Sequence, residues 1–188
     1  MVTGFSQGAS AALGPGRALG SGGDRWFRLG ALAPVSGAYD FGGAELPALR
    51  EGGLEPKSSV VYTAYTLVAF NRLHPIYDSP GDVFRAPYDT TVEALFDGAH
   101  TREQLMRGTP DALDELLTGH GRKSLAHPTG ALAAALRTTD AVCTDWVPPC
   151  APTAVHGGRG RAGRRREHRA LPGGPAQERR GRPGRRSG

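Results

Sequence analysis

The pentapeptide Gly4-Phe5-Ser6-Gln7-Gly8 constrains the fold of this chain more than any other feature of its sequence. A G-x-S-x-G pattern is typical of a sharp turn from a strand into a helix, in which small residues let the two elements approach closely. The turn lifts the serine hydroxyl above a sheet, where the next backbone N–H group helps to hold an oxyanion. The simpler alternative is a Gly/Ser-rich turn near the start of the chain.

The residues that flank the pentapeptide favour the strand-turn-helix interpretation. Val2–Phe5 has the character of a strand end, and Ser6–Leu19 has that of an Ala-rich helix. Within that helix, Pro15 predicts a kink or an early end near Gly14, because proline lacks a backbone donor. The apolar run Leu29–Val35 has the length of a buried strand. A strand, a helix and a second strand in this order predict a fragment of a doubly wound parallel α/β sheet.

Residues 45–140 have a different, helical character, because glycine and proline separate a series of short amphipathic segments. Together they predict a helical cap inserted after the second strand. The predicted helices are Ser58–Leu73, Pro87–Phe96, Arg102–Met106, Pro110–Leu117 and Thr129–Leu136. Aromatic side chains at helical spacing in this region form either the core of the cap or a wall that binds an acyl group. They are Tyr62, Tyr65, Phe70 and Tyr77.

The charge of the chain changes sharply near residue 153. Residues 1–153 carry 12 Lys and Arg against 16 Asp and Glu, a net charge of −4, whereas residues 154–188 carry 11 Arg and 2 Glu, a net charge of +9. The second part is rich in Arg, Gly and Pro and has almost no periodic apolar face, so it is expected to be disordered. An alternative, non-enzymatic function is non-specific binding of nucleic acid or another polyanion through this tail.

These patterns divide the chain into four parts. Residues 1–44 form the sheet fragment with the Ser6 turn, residues 45–140 form the cap, residues 141–153 form an extended linker to another strand, and residues 154–188 form the tail.

Several classes of site and location find no support in the sequence. Cys143 and Cys150 are seven residues apart and have no further Cys or clustered His nearby, so neither a metal site nor a cofactor is predicted. No stretch approaches the ~20 apolar residues of a membrane span. No charged and apolar leader precedes the pentapeptide, so the chain as encoded is expected to be cytoplasmic.

Five segments, taken in order along residues 2–153, resemble one branch of the α/β-hydrolases, the bacterial secretory-lipase and prolyl-oligopeptidase-like proteins. The segments are VTGFSQGASAAL, LGALAPVSGAYD, YTAYTLVAFNRLHPIYDSP, VFRAPY and DWVPPCAPT. The resemblance implies a partial α/β-hydrolase fold and hydrolysis of small-molecule or lipid esters, or of related acyl bonds, by a Ser-Asp-His triad. It implies Ser6 as the nucleophile and the backbone N–H group of Gln7 as an oxyanion donor. Members of this branch are typically secreted.

The same resemblance implies parts that this sequence lacks. Four strands are expected before Val2, and a catalytic Asp and His are expected after residue 145, where the chain has no Asp. We therefore expect a chain that is truncated at its start, frameshifted after about residue 153 and of little or no turnover. Asp40, after the second strand, is a candidate triad acid, although a turn leading into the cap is the simpler interpretation of Ser36, Tyr39 and Asp40. The triad His stays unassigned, since His156 and His168 have no acid in the expected place.

Overall fold

The structure, a computed structural model, describes residues 1–147. Two parallel strands, β1 (Val2–Phe5) and β2 (Leu32–Val35), pair in register, with Val2 opposite Leu32. The helix α1 (Gln7–Gly20) connects them, as parallel strands require a crossover. The predicted α/β unit is therefore present. Of the two effects predicted for Pro15, an early end near Gly14 is wrong, since α1 continues through Pro15 to Gly20. The kink stays a prediction.

The two faces of the sheet have different surroundings. On one face, Leu32 is buried against α1, where a Cβ atom added to Gly16 would lie 3.0 Å from the Leu32 side chain. On the other face, Thr3 and Phe5 alternate with the inward residues of β1, and Phe5 is 72% exposed. One side of the sheet is thus covered by α1 and the other side is open within the described residues.

After β2 the described chain is mainly helical, apart from turns, loops and an isolated antiparallel bridge between Phe84 and Leu117, which agrees with the helical character predicted for this region. The elements are a π-helical turn (Phe41–Glu45), α2 (Leu46–Arg50), α3 (Pro56–Leu73), α4 (Pro80–Val83), α5 (Tyr88–Leu95), α6 (Arg102–Gly108), α7 (Leu113–Leu116), α8 (Gly119–Ala126) and α9 (Gly130–Thr144). The sequence did not predict the π-helical turn, α2, α4 or α8. It also placed too long a helix at α7 and too short a helix at α9.

The end of α9 corrects one boundary. The segment from residue 141 was expected to be extended, but α9 continues to Thr144, so the first four residues of the predicted linker are helical. The division of the chain into domains at residues 44 and 140 remains a prediction.

The helices after β2 share one hydrophobic core, in which α3 is central. Its inward residues Val60, Ala64, Leu67 and Val68 follow the spacing of one helix face, and all are almost completely buried. The aromatic residues of the predicted cap differ in burial, and an acyl-binding role for any of them stays a prediction. Tyr77 is buried in the core and Phe70 packs against it, whereas Tyr62 and Tyr65 remain exposed.

Residues 148–188 lie outside the part of the chain that the structure describes. The predicted disorder of the tail, its polyanion binding, and the positions of Cys150, His156 and His168 therefore stay predictions. Among the described residues, no helix is both long enough and apolar enough to cross a membrane.

Candidate active site at the strand-to-helix turn

Ser6 stands between the last residue of β1 and the first residue of α1, in a strained backbone conformation. Its φ is 53° and its ψ is −123°, in a region that side-chain-bearing residues rarely adopt. Two backbone hydrogen bonds hold it: its N–H donates to Val35 and its carbonyl accepts from Ala9, both at 2.9 Å. The residue is exposed. Strain of this kind costs about 1–3 kcal/mol and concentrates at functional sites, which makes Ser6 the leading candidate for a reactive group.

The sharpness of the turn depends on Gly4. A Cβ atom added there would lie 1.9 Å from the carbonyl oxygen of Gly8, so no side chain fits between β1 and the first turn of α1. At Gly8 itself, an added Cβ would meet no atom within 4 Å among the described residues. The close approach of strand and helix thus requires glycine at the first position of the pentapeptide and not at the last.

Gln7 has two groups close to the serine. As the first residue of α1, it has a backbone N–H group without an intrahelical acceptor, so this group is available to an anion. Its side-chain amide Nε2 donates a hydrogen bond to the Tyr65 hydroxyl on α3. The sequence predicted the first group, but it gave no signal for the second, because the two residues are 58 positions apart.

The loop after β2 lies beside this turn. Ser36 follows Val35, has a φ of 53° and is exposed. Each of the two strands is thus followed by an exposed serine with the same positive φ. The loop is fixed to α1, because the Ser10 hydroxyl donates to the carbonyl of Ala38 at 2.8 Å. Asp40 is exposed, and its carboxylate accepts from the N–H of Gly43 at 2.8 Å, which caps the π-helical turn. Asp40 thus takes part in the turn after β2, as the simpler interpretation of the sequence expects. A triad role for Asp40 stays a prediction.

Asp140, near the end of α9, has a structural role that sequence reasoning missed. Its two carboxylate oxygens accept from the backbone N–H groups of Phe41 at 2.7 Å and Gly42 at 3.0 Å. These bonds fasten α9 to the segment that follows β2. Burial raises the pKa of the Cys143 thiol, with smaller contributions from the carboxylates of Asp140 and Asp40.

Where a histidine side chain of the described residues has a partner, that partner is not Ser6. His100 lies 2.9 Å from the Asp97 carboxylate, and this bond, with the backbone amides of Ala99 and His100, lowers the pKa of Asp97 to about 2. His74 packs its ring against Phe70, with centroids 6.4 Å apart. No histidine in residues 1–147 makes a hydrogen bond to Ser6, and this part of the chain contains no cluster of His, Cys, Asp and Glu suited to a metal ion.

A groove of about 520 Å³ lies between α3 and the α5–α6 region. Tyr65, the hydrogen-bond partner of Gln7, forms one wall, and its ring packs against Phe96 with centroids 5.7 Å apart. The rest of the lining is mostly apolar, with one cluster of polar groups. It includes Ala69, Leu73, Leu95, Leu105, Arg72, Asp97 and His100.

Comparison of the sequence with protein-family models and with curated proteins found no match. Comparison with solved structures found similar proteins. The chain is similar to the rice cell wall degrading esterase LipA from Xanthomonas oryzae, with a TM-score of 0.72, 22% identity and coverage of 82% of this chain and 42% of that chain. A ligand-bound form of the same esterase gives a TM-score of 0.63 at 23% identity, and it covers 82% of this chain and 41% of that chain.

A candidate hydrolase from Legionella pneumophila is also similar, with a TM-score of 0.55, 19% identity and coverage of 82% of this chain and 39% of that chain. The chain thus spans about two fifths of the length of the structures it matches. At these identities the likeness shows the fold: a mostly helical chain with a two-stranded parallel sheet has the fold of part of an esterase.

Proposed function

We propose that Ser6 is the nucleophile of a serine hydrolase that acts on carboxylic esters. One observation carries the proposal: an exposed serine is held at a φ of 53° between a parallel strand and a helix N-terminus, in a chain with the fold of part of an esterase. The resemblance of the sequence to the secretory-lipase and prolyl-oligopeptidase-like branch supports the same reaction.

In the proposed reaction, Ser6 Oγ forms a bond to the carbonyl carbon of the ester. The backbone N–H of Gln7 donates to the oxyanion of the tetrahedral intermediate. The bond to the alcohol then breaks, the serine proton passes by way of a base to the departing alkoxide, and water later cleaves the acyl-serine. Residues 1–147 supply the nucleophile, one oxyanion donor and the cap, but no base that is hydrogen-bonded to Ser6. We therefore propose that this chain turns over esters slowly, since loss of triad partners costs orders of magnitude in rate.

Labelling with a fluorophosphonate tests the nucleophile directly. Ser6 Oγ would attack phosphorus and displace fluoride, so the label should appear on the peptide that contains Ser6 and should disappear in Ser6→Ala. Ser36→Ala is the matched control, because Ser36 is also exposed, follows a parallel strand and has the same φ. Label that persists in Ser6→Ala would refute the proposal, and rapid hydrolysis of a p-nitrophenyl ester, lost in Ser6→Ala, would refute the slow turnover.

The second candidate function is binding of polyanions by residues 154–188. The observation that favours it is the net charge of +9 on this segment. Because the segment has no aromatic residue to stack on bases, we propose binding without selectivity for sequence.

A further inference from the structure

We propose that Tyr65 is a positioning residue, which couples the groove between α3 and the α5–α6 region to the turn at Ser6 through its hydrogen bond to Gln7. The inference rests on the proposed function, because it assigns Tyr65 an effect on the reactivity of Ser6. It concerns a pair of side chains from distant parts of the chain that meet beside the candidate nucleophile.

The hydrogen bond joins the strand-turn-helix unit to the helices that follow β2. Gln7 Nε2 donates to the Tyr65 hydroxyl at 2.5 Å. Within residues 1–147, the other side-chain hydrogen bonds between the segments 1–44 and 45–140 are those from Phe41 and Gly42 to Asp140. Of these three hydrogen bonds, the one from Gln7 to Tyr65 is next to Ser6.

On the other side, Tyr65 contacts the residues that form one wall of the groove. Its ring packs against Phe96 at 5.7 Å between centroids, with 54° between the ring planes. The position of Phe96 is fixed in turn, because the Arg72 guanidinium donates to the carbonyls of Phe96 and Glu93. Tyr65 and Arg72 are both on α3 and both line the groove, so a molecule in the groove would press on the same ring that holds Gln7.

The chemical consequence follows from the position of Gln7. The same residue offers its backbone N–H to the oxyanion and is anchored by its side chain to Tyr65. The peptide group between Ser6 and Gln7 is held at its carbonyl by the N–H of Ala9, but the N–H of Gln7 has no intrahelical partner, because it lies in the first turn of α1. The bond from the Gln7 side chain to Tyr65 therefore adds a second constraint on this residue. Donors that are aligned before the reaction stabilise the transition state, so the anchor should affect the chemical step rather than binding.

The experiment compares the labelling of Ser6 by a fluorophosphonate in four variants of the full chain. Tyr65→Phe removes the hydroxyl and keeps the ring, and Gln7→Met removes the donor and keeps the length. The third variant combines the two substitutions. The matched control is Tyr62→Phe, on the same helix, because Tyr62 is 55% exposed and its hydroxyl has no hydrogen-bond partner in residues 1–147.

We expect Tyr65→Phe and Gln7→Met each to lower the maximal rate of inactivation about fivefold, which corresponds to about 1 kcal/mol because a tenfold change is 1.36 kcal/mol. The reagent concentration for half-maximal rate should stay the same. The double variant should label no more slowly than either single variant, since both remove one bond. Tyr62→Phe should label like the parent chain.

The outcomes separate this inference from the proposed function. A parent chain that is labelled at Ser6, with Tyr65→Phe labelled at the same rate, would overturn the positioning role alone. Additive losses in the double variant, or an equal loss in Tyr62→Phe, would also overturn it, because the effect would then not depend on the bond. A parent chain that is not labelled at Ser6 would overturn the proposed function, and the positioning role with it.

Discussion

At the scale of single residues, the two glycines of the pentapeptide have equivalent places in the pattern and different surroundings in the structure. Gly4 faces the carbonyl of Gly8 at a distance that excludes a Cβ atom, whereas Gly8 faces open space within the described residues. The pattern predicts that small residues stand on both sides of the serine. It does not reveal which one is required, because that depends on how closely β1 and α1 approach each other.

This difference gives a paired prediction. Gly4→Ala should lower the free energy of unfolding by more than about 3 kcal/mol, because the clash is with backbone that cannot rotate away. Gly8→Ala should raise it by about 0.5–1 kcal/mol, because alanine is favoured over glycine inside a helix. Urea unfolding followed by circular dichroism measures both. A Gly4→Ala chain as stable as the parent would contradict the close approach of strand and helix.

At the scale of elements, the sequence predicted a helix well where a long apolar pattern marks it, and poorly where no such pattern is present. The helix α3 was predicted almost to its ends, since a long apolar pattern lies between Pro56 and Leu73. The short helices α4 and α8 were missed, because each begins within a Gly- or Pro-containing segment that also fits a loop. For α9 the prediction stopped at Leu136, before a polar stretch that includes Thr138 and Thr139.

Beyond Leu136, the helix α9 accommodates two threonines. The hydroxyls of Thr138 and Thr139 each donate to the carbonyl four residues earlier, at 3.0 Å, so these residues are accommodated within the helix. Asp140 then meets the amides of Phe41 and Gly42, which are almost a hundred positions away. Neither this contact nor the one between Gln7 and Tyr65 has a local signal in the sequence. The turn at Ser6 was therefore predictable, but the side-chain contacts around it were not.

The link between α9 and the π-helical turn can be tested by one substitution. Asp140→Asn should lower the free energy of unfolding by about 1–2 kcal/mol, because an amide has one acceptor oxygen where the carboxylate has two, and bonds to a charged acceptor are the stronger ones. Thermal and urea unfolding measure the change. Asp145→Asn is the control, because Asp145 is exposed and its carboxylate accepts only from the neighbouring Thr144 hydroxyl among the described residues. Equal losses in the two variants would contradict the proposed link.

At the scale of the whole molecule, the chain combines an acidic body with a basic tail. Residues 1–153 have a net charge of −4 and residues 154–188 have a net charge of +9. Polyanion binding by the tail stays a prediction, and the body gives it no assistance, because its net charge would repel phosphates.

Salt titration tests this second function. DNA binding should weaken steeply with salt and should not differ between two unrelated oligonucleotides, because phosphate contacts release counterions and carry no sequence information. Neutralising Arg164, Arg165 and Arg166 with Gln should reduce the slope of log K against log salt by up to about 3. Fluorescence anisotropy measures both effects. Binding that is insensitive to salt, or that selects one sequence, would contradict the prediction.

The bonds at Asp140 also bear on the order in which the molecule assembles. The β1-α1-β2 unit closes over about 30 residues, since Val2 pairs with Leu32, whereas Phe41 and Asp140 are 99 positions apart. By loop-closure entropy alone, the second contact costs about 1 kcal/mol more to form. Since the chain is synthesised from its N-terminus, the turn at Ser6 can form early, whereas the amides of Phe41 and Gly42 gain their partner only after α9 has been synthesised.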